Sequence, residues 1–395
     1  MQNLVIIGGG FAGFWSAMSA ARQARELGKS GELKITLISK DEYHAIRPRF
    51  YESDLASMRV PIKNYLAPLG IDLIVGEVGG VDTQNRSITM ANRADAISYD
   101  ALILAAGSRL RVNNIPGIEL AFNVDTFADA NRLDQHLNKL SGSAFATSAS
   151  RSFAVVGGGF TGLEAITSLP QRIKTLAPNV AGFKFFLVER AKEIAPNYSL
   201  DGRRYIVEQL EKANVQVLPG EEVASIVAGK IALKSGKSLE TDTVIWTTGL
   251  EASPLTASFK GERDELDRLC VDSFLRLPAC HNVFVAGDVA RVLADQRNHA
   301  LMSCQHAMPQ GKFAGHNAVN QMFGKEPLAY SQPRYVTCLD LGPENALLTE
   351  GWERSFKMSG PDAKALKTQI VTQWICPKED LETNLKLSTP EVQMQ

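Results

Sequence analysis

The chain has 395 residues, 45% hydrophobic and 22% charged, with a formal net charge of −1; this ordinary globular composition is long enough for two or three domains with their own cores. A near-neutral chain without a lysine or arginine run excludes electrostatic capture of nucleic acid, which needs a concentrated basic face. No apolar run reaches the ~18 residues that span a bilayer, the N-terminus does not read as a secretory signal, and five scattered cysteines without a C-x-x-C pair exclude a disulfide framework or zinc cluster and agree with a reducing cytoplasm.

The chain opens with LVII, then GGGFAG, then a stretch that can be helical, which is the order strand, tight turn, helix. In that context the spacing G-x-G-x-x-G reads as a dinucleotide site. Its first glycine allows a turn that a Cβ resists, its second lets backbone approach a pyrophosphate, and its third lets helix and strand pack closely. Free N–H groups and the positive helix end then face the phosphates. WSAMSAARQAREL continues as an alanine-rich helix and LKITLIS as the second strand of a βαβ unit. ALILAAG (101–107) is a further strand, IPG (115–117) a domain exit, and SGSAFATSAS (141–150) a small-residue surface loop.

FAVVGGGFTGLEA then repeats the opening phrase, with Gly157 standing 149 residues after Gly8. A second unit of the same kind therefore begins there, and it runs through the strands FKFFLVER and DTVIWTTGL (242–250). LCVDSFLRL and HNVFVAGDV bring back strands without a glycine turn of their own, so the second unit reads as an insertion into the first. MSCQHAMPQGKFAGHNAVN reads as a glycine-punctuated helix, with Pro309 in its first turn, where a missing N–H costs nothing. From Gln332 the dinucleotide patterns stop and a C-terminal element begins. Within it AKALKTQIVTQWI (363–375) places Leu366, Ile370, Val371 and Trp374 on one helical face, with Lys364 and Lys367 off it. Such a face suits either a membrane surface or packing on its own domain.

Five motifs in order, GGGFAG, LILAAGS, GGGFTGLE, TVIWTTGLEASP and NVFVAGD, resemble the two-dinucleotide-binding flavoproteins of the pyridine nucleotide-disulfide oxidoreductase superfamily, most closely the type II NADH dehydrogenases, over residues 2–320. The resemblance implies an α/β fold of two Rossmann-like domains, the second inserted into the first, with a C-terminal cap. The boundaries expected are 1–112 and 255–325 for the FAD-binding domain, 113–254 for the NAD(P)H-binding domain and 326–395 for the cap. The first phrase would hold FAD and the second NADH, NADPH being disfavoured, and electrons would pass to a quinone-like small-molecule acceptor.

On the FAD side the resemblance implies Gly8, Gly10, Phe11, Ala12 and Gly13 at the first turn, Ser39 and Lys40 after the second strand, and Arg47 and Pro48 beside the flavin. It adds Val78, Ala106, Gly107, Asp288 and Gln305, with Asp288 accepting from the ribityl chain. On the NADH side it implies Gly157, Gly159, Gly162, Glu189 and Gly249. An acid at Glu189 would accept both ribose hydroxyls and repel a 2′-phosphate, although Arg190 beside it suits a phosphate. Glu164, Gln305, His306 and Gln310 are the catalytic candidates, the last three on the acceptor side, where the α-helix N-terminus would face the pyrimidine end of the flavin. Plainer readings stand beside these: Asp288 as a helix N-cap, Glu164 as an exposed glutamate in a first helical turn, His306 as a packed histidine, Pro48 as a loop stiffener.

Three departures qualify the resemblance. Ser39 stands where the family places an acid for the FAD ribose, which leaves FMN or weakly held FAD open. CQHAMPQG (304–311) replaces A-Q-x-A-x-Q-Q-G in the quinone segment, so a soluble flavoenzyme acting on a small aromatic metabolite is a second reading, and a cofactor-loaded interaction protein a third. EYHAIRPRFYESD has no cysteine, which excludes a thiol relay. The expected setting is cytoplasmic, with membrane contact at most peripheral on the inner face and a homodimer left open.

Overall fold

A computed structural model describes residues 1–92, 95–111, 114–140 and 145–391. The boundary expected between 112 and 113 and the first four residues of the 141–150 loop lie outside the described residues.

The opening phrase forms β1 (Gln2–Ile7), a glycine turn and α1 (Phe11–Glu26), followed by β2 (Leu33–Ser39), β3 (Asp72–Val75) and β4 (Ala101–Leu104). After α2 (Phe127–Lys139), the second phrase forms β5 (Ser152–Val156) and α3 (Phe160–Leu176). That unit continues with β6 (Lys184–Glu189), α4 (Leu200–Lys212), β7 (Val215–Pro219) and β8 (Thr243–Trp246). Then come β9 (Arg276–Leu277), β10 (Cys280–Val285) and α5 (Cys304–Met322). The chain ends with β11 (Val336–Asp340), β12 (Ala346–Glu350), β13 (Ser355–Gly360), α6 (Pro361–Gln369) and α7 (Leu381–Leu387).

The first sheet has the order β9-β10-β4-β1-β2-β3, parallel except for β9. β10 pairs with β4, Val283 opposite Leu102, although the whole second unit lies between them in the chain. That pairing is the insertion. The second sheet is parallel throughout, in the order β7-β6-β5-β8. β4, β5 and β8 are buried at every residue, as expected of parallel strands covered on both faces, and this is why they read as unbroken apolar runs rather than alternating ones. Each unit also carries a small three-stranded antiparallel sheet, at 78–98 and 223–240, that the sequence did not announce.

Gly311 and Gly315 explain the glycine punctuation of α5. A Cβ at either would fall 2.2 Å from a backbone oxygen of α1, that of Ala12 or Ser16. The two helices therefore cross backbone to backbone, with Gly311 level with Ala12, so α5 begins about two turns before α1 does. The sheet β11-β12-β13 and α7 bridge the units: Leu339 and Leu347 share a core with Leu163 and Ile166, while Trp352 and Leu387 pack on the core around α1. Two expectations are corrected. Pro309 lies in the second turn of α5, not the first. Lys367 is not off the buried face of its helix but 5% exposed.

Candidate functional site

The repeated phrase builds the same backbone twice. Gly8 and Gly157 have φ of 116° and 110°, a left-handed region open to glycine. A Cβ on Gly13 or Gly162 would stand 1.8 Å from the oxygen of Gly8 or Gly157, so the third glycine is a packing requirement. A Cβ on Gly10 or Gly159 would meet nothing within 4 Å. The second glycine therefore leaves room for something other than protein. α1 and α3 both start without a side-chain cap and without an acid in the first turn, so their leading N–H groups and positive ends are available to an anion.

A cleft of about 1380 Å³ joins the units, larger than the ~300–1,000 Å³ of common small-molecule pockets. From the first unit Gly8, Gly10, Phe11, Ala12, Ser39 and Lys40 line it. Arg47, Pro48, Ala106, Gly107, Asp288 and Gln305 line it further on. The second unit contributes Phe160, Glu164 and Gly249. Val78 does not line it; it starts a strand of the small antiparallel sheet, opposite Met90. Asp41, missed in the sequence, does line it, two residues beyond Ser39.

Asp288 caps no helix, because it sits in a 3₁₀ turn and α5 starts only at Cys304. The Ser108 hydroxyl donates to its Oδ2 at 2.6 Å, and Arg47 donates to Ser108 at 2.9 Å and stands 3.7 Å from the same carboxylate. The other side of the Arg47 guanidinium pairs with Asp125. Pro48 lies in the 3₁₀ turn Arg47–Arg49 and follows Arg47, a cation held at the cleft wall. At the second turn, Glu189 accepts from the N–H groups of Gly158 at 2.5 Å and Ala191 at 2.6 Å, which holds an acid beside Gly158; Gly157, Gly159, Gly162 and Glu189 do not line the cleft.

Two acceptor-side candidates are displaced by the phase of α5. Ser303, Cys304, Gln305, Met308, Pro309 and Lys312 face the cleft. Gln310 does not; it is 1% exposed and its Oε1 accepts from the Gly287 N–H at 2.7 Å, so it fixes the turn that carries Asp288. His306 is fully buried, stacked on Tyr335 and Trp352, with Nδ1 3.1 Å from the Ser303 hydroxyl. Burial draws its pKa down to about 4, so the neutral ring is favoured at pH 7, and its standing as an acceptor-side catalytic candidate is corrected to the plainer reading of a packed histidine. Pro309 leaves the carbonyl of Gln305 without a helical donor, and the Gln332 side chain supplies one at 3.0 Å. Gln332 was read only as a boundary.

Glu164 is no exposed glutamate. It is 3% exposed, and its Oε1 accepts from Lys367 at 2.7 Å and from the Asp340 N–H at 3.0 Å. Burial pushes its pKa up to about 7, with the Lys367 ammonium opposing, so its charge is set near neutrality. Beside it Asp340 accepts from Lys364 at 2.7 and 2.6 Å and from the Tyr51 hydroxyl at 2.8 Å. Leu366, Ile370, Val371 and Trp374 line the cleft, Val371 buried and the other three partly so. Among the described residues no helix is long and apolar enough to cross a membrane. Cys304 and Cys338 also line the cleft, and burial holds their thiols at about 11 and about 12, so neither is a thiolate at neutral pH.

Comparison with known proteins follows the same lines. The family described as pyridine nucleotide-disulphide oxidoreductase matches residues 2–311. An NADH dehydrogenase-like protein of Mycobacterium tuberculosis is 39% identical over 381 residues, covering 95% of each chain. A type II NADH:quinone oxidoreductase of Staphylococcus epidermidis is 25% identical over 394 residues, again covering 95% of each. Among solved structures, NDH2 from Plasmodium falciparum in complex with NADH superposes with a TM-score of 0.78 at 16% identity, over 98% of this chain and 97% of that one. The sulfide:quinone oxidoreductase of Aquifex aeolicus gives 0.75 at 17% identity, over 99% and 92%. At such identities the likeness is one of fold.

Proposed function

Since the chain belongs to the pyridine nucleotide-disulphide oxidoreductase family, and is by that membership an NAD(P)H oxidoreductase, we propose that it oxidises NADH through an FAD seated at the first glycine turn and reduces a quinone-type acceptor. The observation that carries this reading is one cleft lined at once by the first turn, Gly8 to Ala12, and by Phe160, Thr161 and Glu164 at the start of the second unit's helix. The residues fit two dinucleotides: Gly10 and Gly159 are open where a Cβ would stand, and both following helices offer uncapped N-termini. Flavin and nicotinamide, when bound, supply the hydride chemistry themselves.

The chain's own residues bind and orient. Asp288, held by Ser108, faces the cleft as an acceptor for ribityl hydroxyls, and Gln310 keeps its turn in place. The N-terminus of α5, free of acids in its first turn, favours negative charge at the flavin edge it faces. Glu189 favours the ribose hydroxyls of NADH over a 2′-phosphate. Glu164 and Lys367 set the charge where nicotinamide would approach, and Glu164 can hold or release a proton near neutral pH. We take 1–112 and 255–325 as the flavin unit, 113–254 as the NAD(P)H unit and 326–395 as the cap. With Leu366, Ile370, Val371 and Trp374 lining the cleft, the reading takes an acceptor that reaches the enzyme from solution or from peripheral contact at a membrane.

The test is an anaerobic half-reaction. NADH should bleach the visible absorbance of the bound flavin, and a panel of quinones and other aromatic acceptors should restore it; a flavin that stays oxidised with NADH refutes the reading.

A further inference from the structure

The cleft has a second end, beyond the N-terminus of α5, between α1, α5 and α7. Trp15, Met308, Lys312, Ile375 and Leu387 line it. Lys312 stands eight residues past Cys304, a helix rise of about 12 Å that removes it from the start of α5, and Trp15 stands four residues past Phe11, about 6 Å beyond the start of α1. It is 8% exposed, with Nζ 5.2 Å from the centroid of the Trp15 ring. Burial draws its pKa down to about 8 against the pull of Glu391. Trp15 is 1% exposed, and its indole N–H has no hydrogen-bond partner among the described residues. A buried cation and a buried unmet donor each carry a cost that an acceptor removes. Lys378 also lines the cleft, its ammonium donating to the Gln373 carbonyl, and Met308, Ile375 and Leu387 are apolar.

We propose that this end of the cleft seats an anionic aromatic electron acceptor, a quinone ring among Met308, Ile375 and Leu387 whose carboxylate or sulfonate oxygen is held by Lys312 and Trp15. The inference rests on the function proposed above and narrows the acceptor to a charged class. The balance is simple. NADH gives up a hydride, the quinone ring gains two electrons and two protons, one from the hydride and one from solvent, and its anionic group is unchanged.

Binding tests this without turnover. Oxidised, flavin-loaded protein is titrated calorimetrically with 1,4-naphthoquinone-2-sulfonate and with neutral menadione. The wild type should bind the sulfonate about tenfold or more tighter, the range of a charge-assisted hydrogen bond. Lys312→Met should abolish that preference, Lys312→Arg should keep most of it, and Trp15→Phe, which retains a ring and removes the N–H, should reduce it several-fold. An unchanged preference in Lys312→Met, or a variant that loses its flavin, overturns the proposal. NADH bleaching, recorded separately, fails only if the proposed function fails.

Discussion

Replacing Lys367 with methionine isolates the buried ion pair it forms with Glu164, at the second unit's side of the cleft. Its Nζ lies 2.7 Å from Glu164 Oε1, with side chains 6% and 3% exposed, so water does not replace the lost partner. Stranding one charge of such a pair costs ~3–5 kcal/mol if the charge persists. Glu164 has a way out, because burial already holds its pKa near 7, above its ordinary 4.5. A carboxyl raised in the folded state keeps a proton that the unfolded chain releases, so stability falls as pH rises between the two values, by about 1.4 kcal/mol per unit. In the wild type that fall ends near pH 7; without the lysine it continues upward. Urea unfolding should therefore show a small difference at about pH 6, growing by about 2 kcal/mol at about pH 8.5. Adding Glu164→Gln should abolish the growth. Equal losses at both pH values would refute the coupling of this pair to a proton.

Three further outcomes follow from the same geometry. Gly10→Ala and Gly159→Ala place a methyl where no protein atom lies within 4 Å, so both should fold; the first should lose flavin on gel filtration, the second should keep flavin and bleach only at much higher NADH. Gln310→Leu removes the acceptor for the Gly287 N–H, and should loosen flavin by ~1–3 kcal/mol, measured as its dissociation constant, while the rate of reoxidation per bound flavin holds. Glu189→Ala should narrow the preference for NADH over NADPH in stopped-flow bleaching, and a wild type that prefers NADPH would show that Arg190 decides.

What the sequence made legible was what depends on residue type and local backbone. Gly8, Gly13 and their counterparts at 157 and 162 are demanded by φ and by a Cβ that would strike a carbonyl, so the phrase carries its own geometry. The insertion was legible from the order of motifs, since a GD strand without its own glycine turn needs a sheet to join. Helix phase was less so. The match of CQHAMPQG to a quinone segment gave Gln310 and His306 the same standing as Gln305, yet the crossing of α1 and α5 through Gly311 and Gly315 decides which side faces the cleft. Long-range partners were not legible at all. Lys367 looked like a solvated lysine beside an apolar face, and its carboxylate lies 203 residues away. Gln332 looked like punctuation, and it satisfies the carbonyl that Pro309 leaves open.

The central claim is that two dinucleotides meet in one cleft, and anaerobic stopped-flow measures it most directly. Flavin-loaded protein mixed with NADH should bleach, faster than with NADPH, and a following pulse of naphthoquinone should restore the oxidised spectrum. Protein that binds flavin yet keeps it oxidised with either nucleotide would contradict the account.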